Sequence, residues 1–197
     1  LGSAAIETSL KAGAIGLAIV FAFMCIVYLL PGFAASFALL IYTGIVIVLL
    51  NAFNITLTLP GIAGIILGIG MAVDANVIIF ARVREEISAG ISVKTALKNG
   101  FQKAMSAILD GNITTLIAAL VLWLKGSGTV KGFAQTLALG IIVSMFTALV
   151  ITRLIVFAFY AIGIRDVKFY GKAKEARKPI DFLGKRKYFF ALSSLVI

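Results

Sequence analysis

The stretch Leu59-Pro-Gly-Ile-Ala-Gly-Ile-Ile-Leu-Gly-Ile-Gly-Met-Ala-Val-Asp-Ala-Asn-Val-Ile-Ile-Phe80 carries a single ionisable residue, Asp74, in an otherwise apolar run. A bilayer core about 30 Å thick is crossed by a helix of about 20 apolar residues. The stretch therefore predicts a transmembrane helix. Its small residues gather on one side, because Gly61, Gly64, Gly68, Ala72 and Ala75 recur at three- and four-residue steps. Lipid supplies no hydrophobic drive between helices, so small residues that let backbones approach decide where they pack. At 100° per residue, Asp74 lies about 110° from the centre of that strip and is expected to face a different neighbour. A carboxylate at membrane depth is costly and by default marks an ion or proton pathway. The competing reading is a hydrogen bond between packed helices, or a position closer to the membrane surface.

The rest of the chain has the same character: 61% of its 197 residues are hydrophobic and 13% charged, and its mean hydropathy is +1.12. That composition excludes a water-soluble domain. Apolar runs at residues 12–30, 33–53, 57–80, 104–124 and 133–160 are each long enough to span. The expectation is an all-α membrane protein with a five-helix bundle over residues 1–165. A basic linker over 166–187 and the start of a further helix at 188–197 follow it. The last full run exceeds what a bilayer needs, so it is expected to tilt or to continue along the surface past Arg153. Cys25 is alone and histidine is absent, so an internal disulfide is impossible and metal and triad chemistry lose their usual residues. No GxxxxGK[ST] loop cradles a nucleotide triphosphate. The net charge of +10 sits in two polar segments beside apolar runs, the pattern of membrane loops and not of nucleic-acid binding.

Lys and Arg also predict orientation, since cytoplasmic loops carry the excess. The third connection holds Arg82, Arg84, Lys94, Lys98 and Lys103, and the segment from Arg165 to Lys187 is denser still. Both are expected to be cytoplasmic, with the Lys125–Lys131 turn outside. Alternation then places the Pro31-Gly32 turn inside and the Asn51–Thr58 turn and Leu1 outside. A start on that side without a signal peptide implies an upstream part, with at least one helix and an external domain.

Three further patterns involve candidate site residues. Gly132, Thr136, Gly140, Ser144 and Ala148 recur every four residues, a second helix-packing strip. Ser106, Asp110 and Thr114 also step by four, with Asn112 and Thr115 close by, and are expected to form one polar stripe facing the bundle. Such a stripe serves either water and proton movement or interhelical hydrogen bonding. Arg82, Arg84, Glu85 and Glu86 read as an anchor at the cytoplasmic face, and Trp123 and Tyr160 as interfacial anchors. The basic residues of the tail from Lys168 to Lys187 read as a linker that sets topology, or as a site for anionic lipid.

The Leu59–Phe80 stretch resembles the signature helix of the SecD family of protein-export membrane proteins. The resemblance extends to Arg82-Val-Arg-Glu-Glu86, Asp110-Gly-Asn-Ile-Thr-Thr-Leu-Ile-Ala-Ala119, Gly126-Ser-Gly-Thr-Val-Lys-Gly-Phe-Ala134 and Ser144-Met-Phe-Thr147, and covers Leu1 to about Arg165. Ile180-Asp-Phe-Leu-Gly-Lys-Arg-Lys187 and the apolar run behind it look like the beginning of SecF, which suggests a fused SecDF chain. The family usually has an acidic residue where Ala81 stands and a basic one near Leu29 or Leu30; neither departure touches the Asp74 motif. The resemblance implies a half-bundle of RND type paired with a similar SecF half in the bacterial cytoplasmic membrane. It implies no cofactor beyond a coupling ion, proton or sodium. It also implies the SecYEG translocon, an unfolded polypeptide in transit and membrane lipid as partners. Asp74 then corresponds to the main ion-carrying carboxylate, with Asp110, Thr114 and Ser106 as further candidates. An RND-type small-molecule or lipid exporter and a passive translocon scaffold are the alternatives.

A reporter active only outside the cytoplasm is expected to give signal when fused after Asn54 or Lys125, and none after Gly90 or Lys174. The opposite pattern overturns the charge-based orientation.

Overall fold

The computed structural model describes residues 2–55 and 57–171; the linker and further helix expected from residue 172 onward lie outside them. The described residues are helical almost throughout. Helix α1 runs Gly2–Ala52, α2 Leu59–Ser88, α3 Val93–Lys125 and α4 Gly128–Phe146. A π-helix, Thr147–Thr152, joins α4 to α5 (Arg153–Ile162), and a short α6 (Val167–Tyr170) follows. Ala4–Ala52, Leu59–Ser88, Val93–Lys125 and Gly128–Ile162 are long and apolar enough to cross a membrane.

A straight helix with the 49 residues of Ala4–Ala52 would measure about 70 Å, more than twice the bilayer core. The chain instead folds back at Leu29, whose φ of 54° lies outside the helical region. The two arms pack on each other. Met24 clusters with Ala34 and Ala35, Leu17 and Val20 lie against Leu39, Tyr42 and Val46, and Cys25 Sγ is 3.8 Å from Ser36 Oγ. The cause of the break is local: Pro31 has no N–H to give the carbonyl of Val27 four residues before it, and its ring crowds the preceding turn.

Helix α2 is central and touches α1, α3 and α4. Thr58 starts it, its Oγ1 accepting from the Gly61 N–H at 3.2 Å, with Pro60 in the first turn. The glycine strip meets α4. A Cβ on Gly64 would collide with Thr136 Oγ1. One on Gly68 would strike Tyr42 Oη and lie 3.5 Å from Gly140 Cα. Tyr42 itself is fully buried, and its hydroxyl has no hydrogen-bond partner among the described residues.

Helices α2 and α3 form an antiparallel pair and run past their apolar stretches at both sides of the Ala89–Ser92 turn. The polar residues there stay helical because they pair across the two helices. Glu86 accepts from Asn99 Nδ2 at 2.8 Å and pairs with Lys103, while Gly100 sits flush against Val83. This region was expected to be mainly a solvated anchor; it is instead the continuation of the helix pair. The last span is the longest, and the π-helix interrupts it three to four turns before Gly163 (φ 115°) ends it.

Gly68→Ala is expected to destabilise the fold by about 1–3 kcal/mol through overpacking at the Tyr42 hydroxyl. Tyr42→Phe removes the colliding oxygen, so Gly68→Ala added to Tyr42→Phe should recover most of that loss. Unfolding in mixed micelles measures both; equal losses in the two backgrounds would contradict this packing.

Candidate functional site

Asp74 lies midway along α2, and burial divides that helix into two sides. Gly61, Gly64, Gly68, Ala72 and Ala75 are buried, whereas Ala63, Leu67, Gly70 and Asp74 are exposed along the opposite stripe. The carboxylate therefore points away from the glycine strip, as its spacing predicted. No helix of the described chain covers it.

Helix α3 departs from expectation. Ser106, Asp110 and Thr114 are exposed and face away from the bundle, not into it. The inward face is carried by Phe101, Ile108, Asn112 and Ala119, which leaves the polar stripe on the open side. Nor do the threonines in and beside the stripe require an interhelical partner. Thr114 Oγ1 donates to the Asp110 carbonyl at 2.8 Å, and Thr115 Oγ1 to that of Gly111 at 2.9 Å, the usual back-bond of threonine in a helix. Among the described residues, neither the Asp74 nor the Asp110 carboxylate makes an ion pair or a side-chain hydrogen bond.

Two buried asparagines accompany these aspartates. Asn76 is 3% exposed and Asn112 7%. Sequence reading noted Asn112 only as a neighbour and passed over Asn76. The available signal was their position, each two residues after an aspartate and so about 200° round the helix from it.

Sequence reading placed Arg84 only among the anchors at the cytoplasmic face. Its Nη2 donates to the carbonyl of Val27, the group that Pro31 leaves without a helical donor. Its guanidinium carbon stands 4.5 Å from the centre of the Tyr28 ring, which in turn packs at 5.6 Å on Phe80. Gly171 lies against it, at a φ of 130°. Beside this knot Tyr170 is buried and donates to the Ile164 carbonyl at 2.8 Å, and burial pushes its hydroxyl up to about 12. Arg82, by contrast, makes an exposed pair with Glu85 at 2.7 Å. The anchor residues thus divide into the Arg84 clamp, the solvated Arg82–Glu85 pair and the buried Glu86 held by α3. Trp123 and Tyr160 each lie beneath a cation, Lys131 at 5.9 Å and Arg165 at 5.4 Å.

The site is therefore half open: two carboxylates on adjacent helices, uncovered, above a closed and mostly apolar interior. Comparison with known proteins gives this arrangement a family. A family model described as the protein export membrane protein SecD/SecF, C-terminal, matches residues 1–161. The chain belongs to the SecD/SecF family. It is 54% identical over 155 residues to the protein translocase subunit SecD of Acidaminococcus fermentans, covering 79% of this chain and 37% of that protein. It is 40% identical over 213 residues to the subunit SecDF of Bacillus subtilis, covering 99% of this chain and 29% of the relative. The crystal structure of SecDF, a translocon-associated membrane protein from Thermus thermophilus, matches with a TM-score of 0.85 and 34% identity over 96% of this chain and 26% of that one. The chain thus spans about a third of the length of the SecD/SecF relatives it matches.

Replacing Arg84 by Leu leaves a carbonyl without a donor beside an apolar core, a loss of about 1–3 kcal/mol. Arg84→Lys keeps a charge but not the planar fork over Tyr28, and should recover only part of that loss. Denaturant unfolding of the two variants in micelles checks the order; an unchanged Arg84→Leu midpoint would show that this carbonyl needs no side-chain donor.

Proposed function

We propose that this chain is the membrane part of a protein-export subunit in which Asp74 carries the coupling ion, proton or sodium, that drives a late step of polypeptide translocation. The observation that carries this reading is the uncovered Asp74 carboxylate, midway along a helix whose opposite side is locked by glycine packing. A charged group facing lipid is too costly to persist, so the open side of α2 and α3 requires protein or water against it. A second, similar half-bundle of SecF type meets that need. Asp110 is likewise exposed, with Ser106 and Thr114 along its helix, and on this reading these three line the route on which the ion reaches or leaves Asp74. The SecYEG translocon and an unfolded chain in transit are the further partners, and no cofactor beyond the ion enters. The membrane is the bacterial cytoplasmic one, with loop 82–103 and tail 165–187 on the cytoplasmic side.

The chemistry follows from the carboxyl group. A low-dielectric surrounding favours the neutral acid, whereas water or a cationic partner favours the carboxylate. Alternation between two covers of the open face therefore alternates the charge of Asp74, and each cycle carries one ion across.

Asp74→Asn retains size and most hydrogen-bonding capacity but not titration. In the full export complex in vesicles it is expected to insert normally and to abolish the gradient-dependent acceleration of late export. Glu at the position should retain part of it. If Asp74→Asn vesicles with normal protein levels still export faster under an imposed gradient, Asp74 is not the carrier and a scaffold role is the better reading.

A further inference from the structure

The sequence Asp-x-Asn occurs on both helices of the open pair, as Asp74-Ala-Asn76 and Asp110-Gly-Asn112. On both, the aspartate is exposed and the asparagine buried. Each asparagine also bonds in the same way. Nδ2 donates to the carbonyl four residues earlier, Ala72 at 2.9 Å and Ile108 at 2.7 Å, and each Oδ1 is buried without a partner among the described residues. Asparagine is a poor residue for a helix interior, and a buried acceptor left unpaired is destabilising. Two such oxygens in one small bundle call for a common cause.

The Val83–Gly100 contact sets the antiparallel register of α2 and α3, so the two asparagines stand about five residues apart along the axis, and each carboxamide leans back along its own helix toward the level of the other. Gly64 and Gly68 lie against Thr136 and Gly140 in register, so α2 and α4 run parallel. Eight residues beyond the Gly68–Gly140 contact on both helices, Asn76 comes level with Ala148. It continues the four-residue steps of Gly64, Gly68 and Ala72, the stripe directed at α4. Helix α3 runs the other way. Phe101 lies beneath the Arg153 guanidinium at 6.0 Å, and Ala119 clusters with Leu137 and Ile141. Asn112 shares the buried stripe of those two residues and falls between them, near the level of Ser144. There α4 gives way to the π-helix, and π segments inside helices often mark functional positions. Ser144 and Thr147, both buried, donate their hydroxyls to carbonyls of their own helix and keep oxygen lone pairs free.

We propose that Asn76 and Asn112 bind one water molecule between their amide oxygens at the junction of α4 with the π-helix, and that this shared water fixes the rotation of α2 and α3 that presents Asp74 and Asp110 on the opposite face. A water supplies two donors for two orphaned acceptors, and the hydroxyl oxygens of Ser144 and Thr147 lie close to these levels, within the two to four polar partners a buried water needs. A metal ion fits less well. The inner site offers neutral oxygens only, both carboxylates point away from it, and an unpaired charge there would be strongly penalised. Asn76 and Asn112 are positioning residues; they act on the ion only through the aspartates two residues before them. That positioning role rests on the function proposed for Asp74, whereas the water site does not.

The test uses the full export complex, labelled with side-chain nitrogen-15 asparagine and reconstituted in bilayers. Short-mixing magnetisation transfer from water is read on the amide signals, each assigned by its loss in the Asn76→Leu or Asn112→Leu variant. Both amides are expected to receive water magnetisation in the wild type. Asn76→Leu should reduce transfer to Asn112 at least threefold, and the reciprocal variant should do the same to Asn76. Asn76→Ser, which keeps an acceptor oxygen and is the gentler change, should preserve transfer to Asn112. Two dark amides in the wild type, or transfer to Asn112 that is indifferent to Asn76→Leu, overturn the shared water. A shift of the amide signals on exchanging potassium for sodium assigns a cation and overturns it as well. In export vesicles Asn76→Leu should lower gradient-stimulated export several-fold when Asp74 is present and have no further effect in Asp74→Asn. An unchanged stimulation in Asn76→Leu overturns the positioning role. If Asp74→Asn alone leaves stimulation intact, the carrier reading fails while the water result stands.

Discussion

Helices α2 and α4 meet glycine to glycine, Gly68 against Gly140, beneath the buried Tyr42 hydroxyl, and the other helices take their register from that meeting. In lipid the gain comes from closeness of approach and dispersion, because a leucine side chain is as well accommodated by acyl chains as by another helix. A contact without side chains confines each helix to a narrow range of rotations. Once Gly64 and Gly68 are turned toward Thr136 and Gly140, Asp74 is turned out and Asn76 in. Function enters as a consequence of packing, since the same strip that closes one side of α2 exposes the carboxylate on the other.

A second constraint acts on α1. A membrane leaves no water to satisfy an orphaned backbone group, so a break in a helix has to be answered by protein. Pro31 creates the break and strands the Val27 carbonyl; Arg84, from the far end of α2, answers it and lays its guanidinium on Tyr28. Fold-back of the first two spans and the placement of α2 are thus tied by one side chain. Gly171 closes on the same arginine, which brings the segment after the last span into the same knot.

The spans, the two small-residue strips and the turning of Asp74 away from the first strip were legible in the sequence, because each depends only on helical period and residue size; that no described helix covers Asp74 was not. Nor were three further features. The Ser106–Asp110–Thr114 stripe was expected to face the bundle, for water and proton movement or for interhelical hydrogen bonding. Its threonine is satisfied by its own backbone, and apolar Phe101, Ile108 and Ala119 decide which face is buried. Arg84 sits in a run of charges that reads as solvated, and the acceptor it serves lies 57 residues away in sequence. The π-helix has no compositional mark at all, since Thr147–Thr152 is as apolar and as good a spanning sequence as its flanks.

The repeated Asp-x-Asn spacing connects these levels. A carboxylate in the inner position would be an unpaired charge in a low dielectric, whereas an amide there needs only one further hydrogen bond. An amide in the outer position would be tolerated but inert to pH. Each residue is therefore the one its side of the helix allows. Exchanging the two faces by rotating α2 would open the Gly68–Gly140 contact and swing Tyr42 off it, so the helix has no low-energy second rotation. On the proposed function, the moving part is then the cover over the open face, and α2 with α4 is the fixed part against which it moves. The ion is gained and lost according to what approaches Asp74, with the inner polar layer holding the carboxylate still while its surroundings change.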